Sequence, residues 1–204
     1  MALLNVLILQ QLRNCYVSLN MKNNYLTFAL FCCMALFNAT CVNAQHKNLR
    51  LVFIRHAEKQ DDGDNLNCQG LNRSMGLPAV LLKKFGKPAN IYVPSLDLGT
   101  STKHARMMQT ILPFVSKYNL NINSAYDVKD AKGVGKALLQ ESGTILIVWE
   151  HKNLEDIVNY IGIKNKMDWP GDDFDSIWIV TFPNGKPMLT KDKEGLRPAA
   201  GCPF

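Results

Sequence analysis

A chain of 204 residues with 47% hydrophobic content is sized for one domain with a real core, and it carries no repeat or low-complexity tract. Its formal charge of +6 comes from scattered lysines, without a long basic run or interleaved aromatics. Nucleic-acid binding is therefore not expected, while a mild positive field favours an anionic substrate.

The first 44 residues differ from the rest. They hold no acidic residue and only two basic ones, Arg13 and Lys22. Met21-Lys-Asn-Asn precedes thirteen largely apolar residues, Tyr25 to Phe37, and then the small-residue stretch Asn38-Ala-Thr-Cys-Val-Asn-Ala44. This n-, h- and c-region order predicts a signal peptide over residues 1–44, with Met21 a candidate true start and cleavage after Ala44. Thirteen helical residues at about 1.5 Å each fall short of a ~30 Å hydrocarbon core, so no stable membrane span is expected after cleavage. A lipoprotein signal ending at Cys41 is disfavoured because Asn38-Ala-Thr lacks a leucine. Export to the periplasm or the extracellular space follows. The remaining segment, 45–204, has a formal charge of +4 and two cysteines, Cys68 and Cys202. In an oxidising compartment these can pair or stay free, and sequence leaves both open.

From residue 49 strand and helix patterns alternate. Arg50–Ile54 reads as a strand, and Gly70–Phe85 as a helix stopping at Gly86. Asn90–Val93 is a short strand, followed by a helix over Ala105–Tyr118 that Pro113 interrupts. Asn121–Tyr126 reads as a strand, Gly133–Leu139 as a helix, Gly143–Trp149 as a strand and Leu154–Ile161 as a helix. Ser176–Phe182 and Lys186–Thr190, joined through Pro-Asn-Gly, predict a β-hairpin. The alternation predicts a three-layer α/β/α sandwich with a mainly parallel sheet and a C-terminal hairpin.

Chemistry concentrates at strand ends. Leu51-Val-Phe-Ile-Arg55-His56-Ala-Glu58-Lys59 runs from a buried strand into a charged loop, and Thr144–Trp149 ends in Glu150-His151. Arg106 opens the helix that follows the strand Asn90–Val93. In a parallel sheet all of these points fall on one rim, where two guanidiniums and two imidazoles repel one another unless an anion sits among them. A phosphate pocket is the expectation.

Arg55-His56-Ala57-Glu58 resembles the signature of the histidine phosphatase (phosphoglycerate mutase-like) superfamily. Arg106-Met-Met-Gln109-Thr110 is similar to that family's second arginine motif, and Trp149-Glu150-His151 occupies the place of its second histidine. Asn67-Cys-Gln-Gly70-Leu-Asn-Arg73 resembles the segment leading into its first helix. The resemblance implies a phosphatase in which His56 attacks phosphorus and forms a phosphohistidine that water hydrolyses. Arg55, Arg106 and His151 would hold the phosphoryl oxygens, and neither metal nor other cofactor is implied. The proton donor is open. Where many members carry a glutamate, Asn119–Ala131 holds only Asp127 and Asp130, so Glu150 and Glu58 are the further candidates.

Other polar features read as ordinary surface. His46 follows the cleavage site, His104 either lines the pocket or faces solvent, and Lys59 is a surface lysine. Asp61-Asp-Gly-Asp64 lacks the downstream glutamate of a calcium loop, and Asp172-Asp-Phe-Asp175 reads as a polar loop before the hairpin. Trp149 and Trp178 are expected to pack in the core. The short mature chain leaves little room for a cap domain, which suits an open pocket and a phosphorylated small molecule, glycan or phosphoprotein. A monomer is expected. A phosphoglycerate-type mutase and a non-catalytic phosphate-binding module remain the alternatives.

Overall fold

The computed structural model describes residues 48–96, 104–164 and 167–202. The predicted leader and His46 lie outside these residues. Six strands form one sheet in the order β3-β2-β4-β1-β5-β6. β1 (Arg50–Arg55), β2 (Asn90–Pro94), β3 (Ile122–Tyr126) and β4 (Thr144–Trp149) run parallel, whereas β5 (Ser176–Thr181) lies antiparallel to β1 and to β6 (Met188–Lys193). Helices α1 (Cys68–Phe85) and α2 (Ala105–Tyr118) pack together, as do α3 (Ala131–Leu138) and α4 (His151–Ile161). This is the predicted three-layer architecture.

The two central strands explain themselves. Leu51 to Ile54 in β1 and Ile145 to Val148 in β4 are apolar on both faces and buried, as strands covered on both sides by helices must be. Their register pairs Arg50 with Thr144 and Arg55 with Trp149, so the residues after each strand emerge side by side.

Several boundaries differ from the sequence reading. α1 begins at Cys68, because Asn67 caps it by accepting a hydrogen bond from the Gly70 amide at 2.9 Å. Pro113 lies inside α2 without interrupting it, since Ile111 and Phe114 on either side are fully buried and their packing outweighs one lost hydrogen bond. α4 starts three residues early, at His151, with a polar first turn that apolar periodicity does not reveal. In the hairpin a 3-10 turn over Pro183–Gly185 places Asn184 at φ 54° and Gly185 at φ 74°. The connection is consequently longer than a tight Asn-Gly turn, and β6 extends to Lys193.

Cys68 and Cys202 form a disulfide, which ties the C-terminal tail to the start of α1. Asn72 reinforces it by donating to the carbonyls of Ala199 and Gly201, both at 2.8 Å. Among the described residues no helix is long and apolar enough to cross a membrane.

Candidate active site

His56 leaves β1 directly beside the end of β4, its amide donating to the Trp149 carbonyl at 3.1 Å. The ring is 2% exposed, and Nδ1 lies 2.7 Å from the carbonyl of Ala57. A carbonyl can only accept, so Nδ1 carries the proton and Nε2 is left as the basic, nucleophilic nitrogen. Burial pushes the His56 pKa down to about 3, and the charges of Arg106, Arg55 and His151 add to the effect against the opposing pull of the Ala57 carbonyl. The imidazole is neutral throughout the physiological range.

α2 is latched to this loop. Thr110 accepts a hydrogen bond from the Ala57 amide at 2.9 Å and donates to the Arg106 carbonyl at 2.8 Å. Gln109 braces the neighbouring turn, donating to Asn65 at 2.7 Å and accepting from the Leu66 amide at 3.1 Å. Arg106, 5% exposed, thereby stands close enough to lower the pKa of both His56 and Arg55. Arg55 is equally buried, and burial with the Arg106 charge brings its pKa down to about 10. His151 opens α4, where unsatisfied amides and the helix dipole add positive potential. Its pKa is lowered by burial and by Arg55. Among the described residues, Arg55 Nε, Arg106 Nε and His151 Nδ1 are all buried without a hydrogen-bond partner. Three elements thus bring two guanidiniums and two imidazoles together, as the parallel sheet predicts, and a tetrahedral oxyanion is the natural counterpart.

The candidate acids separate clearly. Glu58 is 8% exposed and occupied: Arg73 Nε donates to its two carboxylate oxygens at 3.1 and 3.0 Å, and Nη2 donates at 2.8 Å. Gly70 lets this loop approach α1, since a Cβ there would collide with the Glu58 carbonyl. Asp127 and Asp130 are exposed and bond the amides of Lys129 and Gly133, closing a turn and capping α3. Glu150 sits half-buried at the N-cap of α4, makes no capping bond, and acts electrostatically on both Arg55 and His151. Of the four candidate acids Glu58, Asp127, Asp130 and Glu150, only Glu150 combines freedom from a cap or ion pair among the described residues with electrostatic coupling to the cradle. Among the described residues no three His, Cys, Asp or Glu side chains cluster as a metal site requires.

Some features were not visible from sequence alone. The loop read as merely polar wraps Arg55, which donates through Nη1 to the carbonyls of Pro170, Gly171 and Asp173 at 3.4, 2.7 and 3.3 Å. The Phe174 ring lies 3.9 Å from its guanidinium carbon. A buried cluster also forms in which Arg73 donates to Glu194 at 2.7 Å, with Asp175 at 3.8 Å. His104 is half-buried at the start of α2 and makes no capping bond. Trp149 and Trp178 are core residues, as expected; Trp149 also donates to the Val128 carbonyl at 2.8 Å.

Among solved structures, the chain is similar to a protein of Agrobacterium tumefaciens that bears the name phosphohistidine phosphatase SixA. The TM-score is 0.51 at 15% identity, covering 71% of this chain and 97% of that one. The chain has the histidine phosphatase fold. Weaker likenesses are to a protein histidine phosphatase SixA complexed with tungstate (TM-score 0.49, 14% identity, 72% and 97% covered) and to a phosphoserine phosphatase of Entamoeba histolytica (0.46, 13%, 73% and 98%). No family model and no curated protein matches the sequence. On the histidine phosphatase fold, β1 and β4 carry the cradle at their carboxyl ends, where open α/β sheets place their sites.

Proposed function

We propose that this chain is a phosphatase that hydrolyses a phosphomonoester through a phosphohistidine on His56. The observation that carries the reading is the state of His56. It is buried, neutral, and held by the Ala57 carbonyl in the tautomer that frees Nε2, among cations suited to phosphoryl oxygens. Nε2 attacks phosphorus as the ester oxygen leaves, and water then displaces the histidine and releases phosphate. Arg55, Arg106 and His151 neutralise the developing charge, so the site needs no metal to do so. Glu150 is the proton donor to the leaving oxygen in this scheme, worth ~10²–10⁴-fold for an alkoxide.

The substrate is a phosphorylated small molecule, glycan or phosphoprotein, met as a monomer outside the cytoplasm after cleavage behind Ala44. A mutase reading has less support, since export would place the chain in a compartment poor in glycolytic intermediates; dependence of turnover on a bisphosphorylated primer would separate the two. The test is hydrolysis of p-nitrophenyl phosphate in excess EDTA, beside His56→Ala. Turnover in the wild type and none in the mutant is the expected result. Oxyanion binding with no turnover on any leaving group would leave a phosphate-binding module instead.

A further inference from the structure

The segment between α4 and β5 does more than connect them. Among the described residues Arg55 makes no hydrogen bond to a carboxylate, although Asp173, Glu150 and Asp172 act on it electrostatically. It is held instead by a cage of the three carbonyls of Pro170, Gly171 and Asp173 and the face of Phe174. The cage is itself anchored to the core. Asp173 turns its carboxylate back on its own loop, accepting from the amides of Asp175 and Ser176 at 2.9 and 3.0 Å and from the Ser176 hydroxyl at 2.5 Å. Its carbonyl also accepts from the Trp169 indole at 2.8 Å, and Trp169 packs on the buried Trp178 with ring centroids 4.7 Å apart. Core, loop and arginine form one continuous chain of contacts.

Resting on the phosphatase reading above, we propose that Phe174 is a positioning residue for the anion site: its ring face fixes Arg55 without neutralising it. A carboxylate in the same place would orient the guanidinium equally well but would cancel the charge needed by a phosphoryl group. Carbonyl dipoles and an aromatic face orient the group and leave its full charge available. The same ring borders the nucleophile, with its centroid 6.1 Å from that of His56 at an interplanar angle of 59°. One side chain therefore sets the arginine against the histidine.

The test is tungstate binding by calorimetry to the wild-type chain, Phe174→Leu and Phe174→Tyr, with melting temperatures and p-nitrophenyl phosphate kinetics alongside. Phe174→Leu should weaken tungstate roughly three- to thirtyfold and raise KM more than it lowers kcat, the melting temperature staying within a few degrees. Phe174→Tyr, which keeps the ring face, should bind within about twofold of wild type. A merely structural role would move the melting temperature and leave the affinity of the folded protein alone. Should Phe174→Leu fail to fold, Phe174→Met, closer in volume, carries the same expectation. Wild-type affinity in the leucine or methionine variant, or an equal loss in the tyrosine variant, overturns the positioning role alone. A wild-type chain that binds no tungstate overturns the anion pocket itself, and the phosphatase reading with it.

Discussion

Two buried arginine sites lie close together in this fold and are built in opposite ways. Arg73 is surrounded by acids: it donates to Glu58 and Glu194, and Asp175 stands nearby. Burial works against its charge, but the bonds to Glu58 and Glu194 overcome this and hold the guanidinium above its ordinary range. Arg55 and Arg106 are just as buried, yet each keeps an unpartnered Nε, and neither makes a carboxylate bond among the described residues. Residue type and burial are the same; the partner differs. A buried cation with its own carboxylates organises the chain, whereas one without them is set to receive an anion from outside.

That contrast is best broken by removing one residue from each side. The largest effect belongs to the proposed nucleophile: His56→Ala should lower kcat/KM for p-nitrophenyl phosphate by on the order of 10⁴-fold or more, measured on folded protein. Arg106→Ala should cost about 10²–10³-fold in kcat, with a melting temperature unchanged or raised because a like charge has gone. Arg73→Met should do the reverse. It strands Glu58 and Glu194 in the interior, so a loss of roughly 3–5 kcal/mol is expected, a fall of about 6–20 °C in melting temperature. Tungstate affinity of the folded fraction should stay within a few fold. If Arg73→Met abolished anion binding while leaving stability intact, the division between the two sites would be wrong.

pH sharpens the same comparison. The unfolded His56 ring takes up a proton near pH 6.5 and the folded ring only near 3, so its contribution to stability is lost as pH falls from 6.5 toward 3. Glu194 behaves oppositely. Burial pushes its pKa up to about 7 against the pull of Arg73, so the folded state holds a proton that the unfolded state releases above about 4.5. Its contribution is present below that value and is lost as pH rises through 7. Between pH 4.5 and 6.5 the two slopes oppose each other. Glu194→Gln should therefore steepen the loss of stability on acidification, as read by denaturant unfolding at pH 5 and pH 6.5. An identical slope in wild type and variant would contradict this. The smallest effect is that of Phe174→Leu, where one aromatic face is removed and every charge stays in place.

How much of this was legible in the sequence follows from distance along the chain. β1 and β4 are continuous apolar runs ending in charged residues, so both the strands and the rim they build could be read directly. Arg106 follows from the same logic, as it opens the helix after a third parallel strand. The partners of Arg73 could not be read, because Glu194 returns 121 residues later and only the tertiary fold brings it back. The cage around Arg55 is equally remote, 115 to 118 residues away, and is made of backbone carbonyls that leave no sequence signal. β6 was underestimated because Met188–Lys193 is a mostly exposed edge strand with little apolar alternation. Glu58, a candidate acid from its place beside His56, proved to belong to the structural cluster.

The central claim is that His56 carries the phosphoryl group between substrate and water. The most direct measurement is mass spectrometry of the peptide spanning residues 51–59 after mixing with p-nitrophenyl phosphate and quenching in alkali, where phosphohistidine survives. Phosphate on His56 that is lost in acid and absent from His56→Ala is the predicted result. Phosphate on another residue, or near-normal turnover by His56→Ala, would contradict the account.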